Sequence, residues 1–331
     1  MNLKKFLALF LVLTLMVSMA ACGADTGAPV TEPSDVSATE EPTTAVAEKT
    51  LNKVVVYNSS LCTALEAFGK ADTIVGAYGT LAENYGVPSC GKWNEVDVEA
   101  VIATDAEAVF GYAKYTTQEQ IAKLSDAGIA CYFIELSDAD TAAAEVAQLG
   151  ELFGCQEKAQ VFVDLYNTYD GLMEEKLADV EPLTVYVEGT AKEPFKTANN
   201  TTAAHKLVAG AGLVNVYADN ETAYPERNLE AVIVAEPDVI VKLCAAGSDP
   251  AEVYGEYVAG LSGVAAADAG KVILLNNEVG TTAIGSIIGR LYVAKFAYPE
   301  VFADVDVDAI YQQLCVEFLG TAFAGSGAYS G

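Results

Sequence analysis

Arginine is nearly missing from this 331-residue chain: Arg227 and Arg290 are the only two, and His205 is the only histidine. Basic side chains number 18 against 46 acidic ones, for a formal charge of −28. Phosphate recognition needs clustered Lys and Arg, so a nucleic-acid partner is excluded. A lone histidine cannot supply the several imidazoles that free-metal sites commonly use. It also has no evident triad partners, and neither a G-x-S-x-G elbow nor a phosphate loop occurs. The seven cysteines never form a C-x-x-C pair, which removes zinc ribbons and thioredoxin-type sites. Carboxylates are abundant, but no spacing selects a catalytic pair. The chain reads as a binding protein, not an enzyme, with no cofactor and no metal site of its own. An exported enzyme and a surface interaction module are the rivals from other classes.

What is present begins with an address. "MNLKK" and the apolar "FLALFLVLTLMVSMA" read as an export signal over residues 1–21, too short to span a bilayer comfortably. "SMAAC" resembles the bacterial lipobox, which implies cleavage before Cys22 and a lipid anchor there; a plain secretory signal is the alternative. Two acyl chains would anchor stably where one is marginal. Residues 22–50, rich in Pro, Thr, Glu and Ala, are expected to be a flexible tether. The expected location is the outer face of the cell membrane. Cys131 and Cys244 sit in or beside apolar strands and are expected to be buried free thiols.

The body reads as α/β. "KVVVYNSS", "ADTIVGAYG", "AEAVFGY" and "IACYFIEL" are strands alternating with helices, which argues for parallel layering. Residues 140–178 then run almost continuously in helical period, interrupted near Gly154, and a second strand-helix body opens at "LTVYVEGT". We expect an N-terminal lobe over 51–152, a linking helix over 153–181 and a C-terminal lobe over 182–331. The phrase "EAVIATDAEAVF" at 99–110 returns as "EAVIVAEPDVIV" at 230–241, which gives each lobe the same helix-to-strand unit.

The order "VVVYNSSLCTALEAFG", "IVGAYG", "EVDVEAVIATDAEAVF", a long helix, "VYVEGT", "YPERNLEAVIVAEPDVIV" and "KVILLNNE" resembles the substrate-binding proteins of iron-siderophore, haem and cobalamin ABC importers. "GSIIGRLYVAKFAYPEVF" is similar to their iron-complex branch. The resemblance implies two α/β lobes with parallel-type sheets, one rigid linking helix and ligand held between the lobes. It implies a monomer that hands a metal chelate to a membrane permease, with a ferric siderophore favoured and haem or a corrinoid as alternatives. Glu99 and Glu230 are similar in position to the glutamates that dock onto basic permease residues; first-turn charges that suit a helix dipole are the plainer reading.

Loops at the ends of parallel strands usually carry the ligand. The candidates are Ser59, Ser60, Tyr78, Trp93, Tyr112 and Tyr115 in the first lobe. Glu188, Asn199, Asn200, Tyr224 and Glu278 are those of the second. Aromatics among amides and hydroxyls suit a bulky, partly apolar chelate. Relatives often carry an arginine just before the helix equivalent to "SIIGRLYVAK", where this chain has Gly285, so bidentate recognition of an anionic catecholate is poorly supported. His205, inside "TTAAHKLVAG", is read as a surface or packing residue.

Overall fold

The computed structural model describes residues 50–191 and 194–331. Residues 1–49, with the expected signal, Cys22 and nearly all of the tether, lie outside the described residues. In the first lobe, β1 (Val54–Val56), β2 (Ile74–Ala77), β3 (Gly91–Lys92), β4 (Glu95–Val96), β5 (Ala108–Phe110) and β6 (Ala130–Tyr132) alternate with helices. Four of them form a parallel sheet in the order β2-β1-β5-β6, while β3 and β4 make a separate hairpin. The second lobe holds β7 (Thr184–Glu188), β8 (Val214–Asn215), β9 (Val239–Leu243), β10 (Val272–Leu275) and β11 (Ala328–Tyr329). Their order is β11-β10-β9-β7-β8, parallel except for the edge strand β11.

Both faces of each sheet are buried, as the β-branched runs require of parallel strands. Alternation sorts the side chains. Val54, Val56, Ala108 and Phe110 point inward from the first sheet; Val185, Val187, Val241, Ile273 and Leu275 do so from the second, and all join one apolar cluster. Val55 and Val109 face outward into a core of the first lobe, and Tyr186, Ile240, Val272 and Leu274 into a core of the second. The inner cluster also takes in Phe162, Leu165, Tyr166 and Met173 of the helix Gln156–Leu177. At 1.5 Å per residue its 22 residues span about 33 Å. A preceding helix, Ala142–Phe153, stops where Gly154 turns left-handed at φ 65°.

The C-terminus departs from the expected lobe boundary. The helix Val307–Gln313 runs on into a wide π-type turn, Leu314–Leu319, that lies back on the first lobe. Phe318 packs its ring 5.0 Å from Phe162 and 6.1 Å from Phe68, and Lys158 Nζ donates to the Glu317 carbonyl at 2.6 Å. The lobes are therefore tied by this strap as well as by the long helix.

Charge adds a third tie. Arg290 is buried in the helix Ser286–Ala297, where its guanidinium donates to Asp140 at 2.5 Å and to Tyr166 and Asp170 at 3.4 Å. Lys206 of the helix Ala203–Gly210 pairs with Asp138 of the first lobe. Gly285 has a mechanical reason to be glycine: a Cβ there would land on the Glu278 carbonyl. That backbone contact leaves no room for a side chain at this position.

His205 is half-buried and faces Asn215. The Asn215 Oδ1 accepts the Tyr217 N–H at 3.0 Å, so its Nδ2 points at His205 Nδ1, 3.3 Å away. The imidazole is thus an acceptor, and burial lowers its pKa. A histidine with a lowered folded pKa contributes full stability above its unfolded value near 6.5 and loses it as pH falls through that value toward the folded one. Urea titrations at pH 7 and pH 5 should show a stability loss that His205→Gln reduces; an unchanged loss would contradict this assignment.

The shared core predicts that Phe162→Ala lowers stability by about 3–5 kcal/mol. Unfolding should remain one transition, with the fluorescence of Trp93 in the first lobe coinciding with the far-UV signal of the whole chain. Separate midpoints would mean that the lobes fold independently.

Candidate functional site

The repeated phrase is a repeated structure. Val98–Ala103 and Leu229–Ala235 are short helices capped by Asp97 and Asn228, whose side chains accept the Ala100 and Ala231 N–H groups. Just past each helix stands a left-handed acidic residue, Asp105 at φ 56° beyond the cap Thr104 and Glu236 at φ 44° as the cap itself. Two residues on, a carboxylate clasps the start of the neighbouring strand: Glu107 accepts from Asn52 N at 2.7 Å, and Asp238 from Thr184 N at 2.8 Å. Glu99 and Glu230 stand exposed in the first turns. Ile102 and Ile233, one turn along, are 37% and 38% exposed. The two lobes thus present matched surfaces.

The first lobe gathers its aromatics at the carboxyl ends of its strands. In the order β2-β1-β5-β6 the chain reverses direction between β1 and β5, which opens a crevice there. The hairpin of β3 and β4 roots beside β2 through Cys90 N, which donates to the Ala77 carbonyl at 2.7 Å, and carries Trp93 at its tip. Trp93 is 50% exposed and sits edge-on to Tyr115 at 5.1 Å and Tyr112 at 6.3 Å. Tyr112 and Tyr115 are 6.1 Å apart. Burial pushes the Tyr112 phenol up to about 12, with Tyr78 and Glu135 adding to the effect, so it stays protonated. Of the first-lobe candidates, Trp93, Tyr112, Tyr115 and Tyr78 come together. Ser59 and Ser60 open the helix Ser59–Ala67 after the buried cap Asn58, Ser59 exposed and Ser60 half-buried.

The second lobe has its crevice between β7 and β9. Glu188 is 1% exposed, in register with Lys242 and 3.4 Å from its Nζ. Its Oε1 accepts from Tyr186 Oη at 2.8 Å and Phe195 N at 3.0 Å. Beside this pair lies a cavity of about 750 Å³, bounded by Phe195, Cys244, Ser248 and the helix Pro250–Ala259. Sequence reasoning named Glu188 but missed Lys242 and Tyr257, and it read Cys244 as a buried thiol only. A lysine inside "VIVKLC" was the available signal, since a charge in a buried strand needs a partner.

The remaining candidates scatter. Asn199 is buried and its amide is consumed locally, donating to Asn220 O at 2.9 Å and accepting from Thr201 N at 2.9 Å; it shapes a loop and is not open to a ligand. Asn200 and Glu278 are exposed, and Tyr224, 59% exposed, lies over Gly189. Among the described residues no group of three or more His, Cys, Asp or Glu is placed to hold a metal ion. The cysteines are free there, and burial pushes Cys90 and Cys244 up to about 11.

The strand ends of the two lobes face each other. Ser137 and Ala139, beyond β6, meet Ala203, Leu207 and, beyond β10, Gly280, Thr281, Thr282, Ala283 and Ser286 around a small interlobe cavity. This architecture has known counterparts. FepB from Veillonella parvula, described as a TroA-like periplasmic binding protein, superposes with a TM-score of 0.74 at 18% identity, over 86% of this chain and 96% of that one. MolA from Haemophilus influenzae, a molybdate periplasmic binding protein, gives 0.66 at 20% identity over 84% and 95%. In sequence, the vitamin B12-binding protein of Yersinia pestis is 21% identical over 151 residues, 45% of this chain and 53% of the relative. The chain thus spans about half the length of the curated relatives it matches. A periplasmic binding protein model matches residues 54–279, most of the described body, and the chain belongs to the periplasmic binding protein family.

Proposed function

We propose that this chain is the extracytoplasmic substrate-binding component of an ABC importer, a monomer held at the outer face of the cell membrane by lipid on Cys22. It captures an intact metal chelate, a ferric siderophore foremost, and delivers it to the permease. The observation that carries this reading is the duplicated unit that displays Glu99 and Glu230 at like positions on two lobes. Two like-charged knobs, one per lobe, suit basic sockets on a two-fold permease, where charge complementarity sets register and on-rate.

The cargo follows from what the site offers. Trp93, Tyr112, Tyr115 and Tyr78 make an aromatic wall for a bulky ligand, which suits a metal that arrives inside an organic chelate. The chain's two arginines are committed elsewhere. Arg290 is buried in its interlobe network, and Arg227 lies over the Tyr217 ring and donates to Asn220. A neutral hydroxamate chelate fits this better than an anionic catecholate. A corrinoid is the second reading, favoured by the likeness to vitamin B12-binding proteins. Haem held by a phenolate is the weaker alternative at Tyr112, whose proton is hard to remove.

Reversing both knobs, Glu99→Lys with Glu230→Lys, should abolish uptake of the radiolabelled chelate by cells. Binding followed through Trp93 quenching should keep the same Kd. Uptake that persists, or a tenfold loss of affinity, would contradict the docking assignment.

A further inference from the structure

The cavity inside the second lobe has chemistry that a cleft between lobes does not require. Its polar wall is the buried Glu188 with the part-buried Lys242. Lys242 Nζ donates to the Gly189 carbonyl at 2.7 Å and the Ala191 carbonyl at 2.9 Å, and it pairs with Glu188 Oε2 at 3.4 Å as an ion pair without hydrogen-bond geometry. The ammonium is thus held by two backbone carbonyls and its charge is balanced by Glu188. Among the described residues Glu188 Oε2 has the Lys242 ammonium as its ion-pair partner but accepts no hydrogen bond, and the buried Tyr257 Oη makes none. Burial beside Glu188 holds the Tyr257 phenol far above its usual range, so it keeps its proton. Glu256 at the rim adds a second negative charge, and the rest of the lining, with Phe195, Val253, Leu261 and Leu274, is mainly apolar.

We propose that this cavity is a binding site for an apolar, ring-sized group that offers one N–H or O–H donor and carries no negative charge. The donor goes to Glu188 Oε2, with the Tyr257 hydroxyl beside it, and the ring lies against Phe195 and Leu261. The volume of about 750 Å³ suits a group of several rings. Such a group is either an arm of the transported chelate or a separate small molecule, and the chemistry is the same. The site stands on its own geometry and does not depend on the transport reading.

The test is calorimetric titration of the purified chain with indole, 1-methylindole and indole-3-acetate at millimolar concentration. Indole should bind, and methylation of its nitrogen should weaken binding about tenfold, the effect of one hydrogen bond to a charged acceptor. Indole-3-acetate should bind more weakly than indole. Ala245→Trp should abolish binding by filling the cavity, and Ser248→Trp gives a second filled variant if the first does not fold. Equal affinity for indole and 1-methylindole, no binding of indole, or binding that survives a folded filled variant would overturn the proposal. Adding a ferric hydroxamate then separates the sources: displacement of indole assigns the cavity to an arm of the chelate, and simultaneous binding assigns it to a separate molecule.

Discussion

One apolar cluster governs this molecule. The inner faces of both sheets, the long helix Gln156–Leu177 and the helix Ser286–Ala297 bury their side chains in the same core. Protein interiors are close-packed, so a core shared in this way resists large rotation of one half against the other. The C-terminal strap at Phe318 and the Arg290 network with Asp140 and Asp170 act in the same direction.

That constraint gives the internal repeat its meaning. In each lobe a capped helix, a left-handed acidic residue and a strand-clasping carboxylate fix one exposed glutamate relative to one sheet. Because the sheets are themselves fixed on a common core, the spacing of Glu99 and Glu230 is a property of the fold and not of a flexible side chain. Left-handed conformations at Asp105 and Glu236 are unusual away from glycine, and their recurrence at matching positions ties the two lobes to one structural plan.

Much of this was legible in the sequence because it is periodic. The runs at Val54, Val185, Val239 and Val272 alternate sides of a sheet, and the helical stretch broken at Gly154 is broken there in the structure. The aromatic wall was legible as residue types at strand ends, although the hairpin that carries Trp93 was not, since its two strands are two residues each. Long-range pairings left no periodic trace. Glu188 meets Lys242 only through the register of β7 and β9, and the strap at Leu314–Leu319 reads as an ordinary C-terminal helix until its packing is seen. Asn199 is a candidate in the sequence because it lies in a loop at a strand end; in the structure its amide is taken by Asn220 and Thr201.

The central claim is that the chain binds a metal only as a finished complex. Calorimetric titration with a ferric hydroxamate, cyanocobalamin, haem and, separately, ferric ion on a weak chelator tests it directly. The account predicts saturable one-to-one binding of one intact complex and none of the iron released from the weak chelator. Saturable binding of the bare ion, with no response to any complex, would contradict it.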